Sequence, residues 1–145
     1  MPRYVLVNED EVDPRIAAMA DDVLRRALAE LDLGAVPRIQ WFADARGLQA
    51  RRVAVATEVY VPEDGVDKAG SVPPFVRYTS DGGWDPAPPV IMLNRAKCLP
   101  DTPLHELRHL WQIKEGLYRA DEVSSPELEV DADAWAADAM TRLGL

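Results

Sequence analysis

The chain has 145 residues, 48% of them hydrophobic, with a formal net charge of −9 and a single cysteine. This is enough chain for one domain with a real core, and residues 1–145 are read as a single domain. A surface this acidic repels phosphate backbones and argues against a nucleic-acid partner. No apolar run approaches the roughly 18–20 residues of a membrane span. Met1-Pro2-Arg3-Tyr4 leads into a short apolar strand, not a signal peptide, and one cysteine makes no internal disulfide, so a cytoplasmic protein is expected.

In chain order, Tyr4 to Val7 is apolar and β-prone, a strand or a packed N-terminal arm. Asp13-Pro14 reads as an N-cap followed by proline at the first helical position. Ile16, Met19, Ala20, Val23, Leu24, Ala27, Leu28 and Leu31 then form an apolar stripe, which predicts a helix over 14–32 closed by Gly34. Residues 37–42 alternate as a strand. Residues 51–61 do so more clearly, with Val53, Val55, Thr57, Val59 and Val61 on one face. Residues 62–89 are loop-like, with at most a strand near 75–78. Within them Gly82 to Pro86 is either a lid or rim of a cleft or a plain connection. Val90 to Asn94 is a short apolar strand. Thr102-Pro103 and Ser125-Pro126 each read as a cap and first turn of a helix, the first ending at Gly116.

The first of these helices carries His105-Glu106-Leu107-Arg108-His109, which holds both histidines of the chain. Residues four apart project from one helix face, so the two imidazoles can share one metal ion. Glu106 lies about 100° round the helix, within reach of a water on that ion. The chemistry expected of H-E-x-x-H is peptide hydrolysis: zinc lowers the pKa of its water and the glutamate takes the proton. Leu104, Leu107, Leu110 and Trp111 form a separate packing face, while Gln112 and Gly116 continue the histidine face. Arg108 and Glu106 admit a plainer reading as solvent-facing helix charges.

Zinc needs a third protein ligand. Glu129 follows His109 by twenty residues and Asp133 follows Glu129 by four. This H-E-x-x-H…E-x-x-x-D spacing resembles the gluzincin metallopeptidases. The tail from Glu129 to Ala136 is similar to the E-x-x-A-[ND]-x-[FW]-A pattern of small gluzincins, the minigluzincins and ImmA/IrrE-type domains. The resemblance covers about residues 90–140. It implies a zincin-like α+β fold: an N-terminal helix, a small twisted sheet of three to four strands, the H-E-x-x-H helix and a C-terminal helix carrying the third ligand. It also implies Zn2+ held by His105, His109 and Glu129, Glu106 as the catalytic base, and Asp133 orienting a histidine. Peptides or proteins are the implied substrates. In zinc peptidases of this plan an edge strand along the cleft pairs with extended substrate. Residues 90–94, with Ile91, Met92 and Leu93, take that role unless the strand is internal to the sheet.

Glu127 and Asp131 compete with Glu129 as ligand but point about 200° away on the helix. Cys98 is a buried thiol or a latency ligand for zinc. Tyr60, Tyr78, Tyr118 and Arg119 are alternatives for stabilising an oxyanion. Manganese, iron and cobalt remain open beside zinc. Two further readings stand beside the peptidase: a non-catalytic metal-binding regulator that holds a protein partner in a peptidase-like cleft, and a structural helix pair without metal.

Overall fold

The computed structural model describes residues 4–44 and 69–145, and the strand expected over 51–61 lies outside them. Among the described residues three α-helices pack with a small mixed sheet, an α+β arrangement. No helix there is long and apolar enough to cross a membrane.

The helix ends follow from local chemistry. Helix α1 (Pro14–Ala27) opens where the Asp13 carboxylate accepts a hydrogen bond from Arg15 N at 2.9 Å, with Pro14 at the first position. It stops five residues short of the expected end. Glu30 N reaches back only three residues to the Ala27 carbonyl, at 2.9 Å, which tightens the chain into a turn. Leu31 and Leu33 are buried all the same, so their apolar spacing marks a packed turn and not more helix.

Helix α2 (Asp101–Lys114) starts ahead of the expected Thr102 cap, with Pro100 at the N-cap. The Thr102 hydroxyl lies inside the first turn and accepts from Leu99 N at 3.0 Å. At the other end Gly116 has φ +76°. Gly116 N bonds the Ile113 carbonyl and Leu117 N bonds the Gln112 carbonyl, both at 3.0 Å. This paired closure uses a left-handed residue that glycine adopts without a Cβ penalty. Helix α3 (Pro126–Arg142) begins as expected, with the Ser125 hydroxyl accepting from Leu128 N at 3.3 Å.

The strands are β1 (Tyr4–Val7), β2 (Arg38–Asp44), β3 (Gly70–Ser71), β4 (Arg77–Tyr78), β5 (Trp84–Asp85) and β6 (Val90–Asn94). Four form one sheet in the order β1-β2-β6-β3. β1 runs antiparallel to β2, and β2 runs parallel to β6 with Arg38 opposite Val90 and Phe42 opposite Asn94. β3 closes antiparallel on the other side of β6, Gly70 opposite Leu93 and Ser71 opposite Met92. The edge position expected for residues 90–94 is therefore corrected: β6 is an interior strand. Ile91, Met92 and Leu93 are buried, at 0%, 3% and 0% exposure, among the core residues.

Alternation along β2 and β6 puts Ile39, Trp41, Ile91 and Leu93 on one face. Leu93 and Trp41 pack there with Ala20 of α1 and Cys98. Ile91 joins Leu24 of α1, Leu104 and Leu107 of α2 and Ala136 of α3. This burial fixes α2 against the sheet and α3 against α2.

The stretch 75–86 forms a hairpin of β4 and β5, so the single strand expected near 75–78 has a partner. Gly82, φ +89°, makes the turn. Trp84 is buried; its indole N–H donates to the Leu33 carbonyl at 2.6 Å and its ring meets Tyr78 edge-on at 5.0 Å. The segment Gly82 to Pro86 is thus tied through Trp84 to the turn that follows α1. Trp84→Phe keeps most of the ring but leaves the Leu33 carbonyl without its donor. The expected cost is about 1–3 kcal/mol of unfolding free energy, read from urea denaturation.

Candidate metal centre

One turn of α2 separates His105 from His109, and their Nε2 atoms are 2.9 Å apart. Helix α3 comes close because the residues it turns inward are small: Ala132, Ala136 and Ala139 are buried. Its Glu129 carboxylate then bridges both rings, Oε2 at 3.1 Å from His105 Nε2 and Oε1 at 3.2 Å from His109 Nε2. Donors held about 2.0–2.1 Å from a tetrahedral ion lie about 3.3 Å from one another. The three contacts are close to that spacing, and this donor set can hold a single metal ion. The His109 side chain is 6% exposed and that of Glu129 45%, so the group is closed at the His109 end and open to solvent beside Glu129.

The outer nitrogens are also engaged. His105 Nδ1 meets Asp133 Oδ1 at 2.8 Å, the pairing expected of Asp133. His109 Nδ1 meets Gln112 Oε1, also at 2.8 Å. With both Nδ1 atoms occupied, both Nε2 atoms turn to the centre. Gln112 is wholly buried, and its amide nitrogen donates to the Leu128 carbonyl at 3.0 Å and to Asp131 Oδ2 at 2.8 Å. Asp131 in turn takes the Arg108 guanidinium, Nε to Oδ2 at 2.8 Å and a terminal nitrogen to Oδ1 at 3.2 Å. Arg108 lies 3.8 Å over the Trp111 ring. Arg108 is thus an interhelical clamp and not a solvated charge, and Asp131 is its partner and not a ligand. Glu127 is exposed and outside the donor group. Sequence reading missed the roles of Gln112 and Asp131. The available signal was a neutral polar residue three positions after the second histidine, on the ligand face.

Glu106 is only 4% exposed, so it too is no solvent-facing charge. It lies between α2 and β3. A methyl group at Gly70 would sit 3.0 Å from Glu106 Oε2 and 2.9 Å from Thr102 Cγ2. The missing side chain of Gly70 is the space the carboxylate occupies.

Burial opposes a charge on His105. The hydrogen bond to Glu129 and the charges of Glu106, Glu129 and Asp133 outweigh it and push the imidazole up to about 9. The hydrogen bond from His105 holds Glu129 far below the usual carboxylate range. Cys98 is pushed up to about 12, first by burial and then by the charges of Asp101 and Glu106. It packs with Val7, Trp41 and Leu93 as a protonated thiol and adds no donor to the centre. Of the oxyanion alternatives, Tyr118 is beside the site, its ring 5.9 Å from that of His109. The Tyr78 hydroxyl donates to the Gly82 carbonyl of the hairpin, and Arg119 pairs with Asp121 at 3.1 Å. Tyr60 lies outside the described residues.

No family model, curated protein or solved structure matches this chain. What the site does is therefore read from its own geometry.

A proton on His105 competes with any cation for the same nitrogen, because a ligating imidazole must be neutral there. Below the value of about 9 the ion must displace that proton. Zinc affinity is expected to rise with pH from 6.5 to 8.5, about tenfold per unit for one displaced proton. Competition titrations at three pH values measure it. An affinity flat above pH 7 would show that His105 titrates as an ordinary imidazole.

Proposed function

We propose that the protein is a zinc-dependent metallopeptidase of gluzincin type on a zincin-like fold. The observation that carries this reading is the convergence of His105 Nε2, His109 Nε2 and the Glu129 carboxylate within 3.2 Å of one another, beside a buried Glu106. His105, His109 and Glu129 would hold the ion, and Asp133 keeps His105 turned inward. When bound, zinc supplies Lewis acidity, polarising a carbonyl and bringing the pKa of water to about 7.

The remaining chemistry belongs to the chain. Glu106 accepts a proton from the attacking water and returns it to the leaving amine as the peptide bond breaks. Tyr118, packed against His109, is the group best sited to donate to the developing oxyanion. Since β6 is paired on both sides, by β2 and by β3, an extended peptide does not add to the sheet along residues 90–94.

Glu106→Gln removes the base and leaves all three donors. Zinc affinity should stay within about threefold of the parent, while turnover of a peptide library falls by about 10²–10⁴. A variant that cleaves as fast as the parent overturns the assignment; a zinc-loaded parent with no turnover leaves a metal-binding protein without peptidase activity.

Gly70→Ala pushes the Glu106 carboxylate aside. We expect kcat to fall by about tenfold or more with KM and zinc content little changed, because small misplacements of a base are costly. Steady-state kinetics of the variant with Thr102→Ser added, which removes the second clash, isolates the Glu106 contribution.

A further inference from the structure

Which nitrogen of His109 carries its proton is decided by groups that never touch the metal position. Arg108, a fixed donor, spans both oxygens of Asp131. Asp131 and the Leu128 carbonyl then face Gln112, and both are acceptors. The amide of Gln112 must turn its NH2 group toward them, at 2.8 and 3.0 Å. Turned the other way, it would set its oxygen against two oxygens in a fully buried position. The amide oxygen is left facing His109 Nδ1 at 2.8 Å and needs a hydrogen from it. Nδ1 therefore holds the proton, and the Nε2 lone pair points at His105 and Glu129.

We propose that Gln112 is a positioning residue for the metal centre, fixing His109 in its Nδ1–H tautomer, and that the Arg108–Asp131 pair fixes the orientation of Gln112. This rests on the metal-binding part of the proposed function. The two histidines are held in unlike ways. His105 is set by a carboxylate whose side chain is 74% exposed, whereas His109 is set by a buried neutral amide. A neutral acceptor orients the ring without adding charge beside the cation. It also links the ring to α3 at two points, the Leu128 carbonyl and Asp131. These flank Glu129 in sequence, so the group that sets His109 also seats the helix turn that carries the carboxylate ligand.

The test uses three proteins: the parent, Gln112→Leu and Asp131→Ala. For each, zinc affinity is measured by competition with a chromogenic chelator, and the ring ¹⁵N shifts of His109 are recorded in the metal-free protein. The parent should show a protonated Nδ1 and an unprotonated Nε2. Gln112→Leu should show a mixture of tautomers and bind zinc about 10–100-fold more weakly. Asp131→Ala changes a side chain that is 40% exposed and touches no ligand. It should weaken zinc several-fold, because it frees the amide to turn. Unchanged ring shifts with zinc affinity within about twofold of the parent, in a Gln112→Leu protein that unfolds cooperatively, overturn the proposal. Should Gln112→Leu fail to fold, the same null result in Asp131→Ala overturns it. A parent that binds no zinc overturns the proposed function instead, and the metal-free ring shifts still decide the role of Gln112.

Discussion

Two imidazole nitrogens 2.9 Å apart, with a carboxylate about 3 Å from each, form an arrangement that a solvated chain would not hold. The two imidazoles are largely taken from water and all three donors are aimed at a common point, at a cost in desolvation and side-chain entropy. The close approach of α2 and α3 meets that cost. Leu104, Leu107 and Leu110 bury one side of α2 completely, and the alanine edge of α3 brings the backbones close. The Arg108–Asp131 pair and Gln112 then prevent α3 from sliding along α2, which would move Glu129 away from the rings. The site is therefore a property of the helix interface, and the sheet contributes by anchoring α2.

Much of that interface was legible in the sequence, because its signals are local. The histidines four apart define a helix face by geometry alone. Ser125-Pro126 marks the start of α3, and Glu129 and Asp133, also four apart, reach His105 on the neighbouring helix. What sequence did not reveal is what depends on partners distant along the chain. Arg108 and Asp131 are 23 residues apart, and nothing in either neighbourhood announces the pair. Leu33 and Trp84, 51 residues apart, are tied by a hydrogen bond that turns a supposed loop into an anchored hairpin. An apolar run such as Val90 to Asn94 fits an edge strand or a central one, since composition reports burial and not which neighbours supply it. Two-residue strands such as β3 leave no periodicity to read at all.

The helix ends show the same division. Asp13 and Ser125 cap where expected because capping is a contact within three residues. The end of α1 does not coincide with the end of its apolar stripe. Leu31 and Leu33 are buried from a turn, and helical spacing cannot distinguish a turn that packs from one more turn of helix.

The closure of α2 at Gly116 has a consequence for the His109 end of the site. The left-handed residue reverses the chain within two positions, and Tyr118 consequently comes back against His109 with ring centres 5.9 Å apart. Had the helix run on, each added residue would have carried that aromatic about 100° further around the axis and 1.5 Å along it. A stop signal for the backbone is thus also an aiming device for a side chain: the aromatic wall next to His109 is built by where the helix ends.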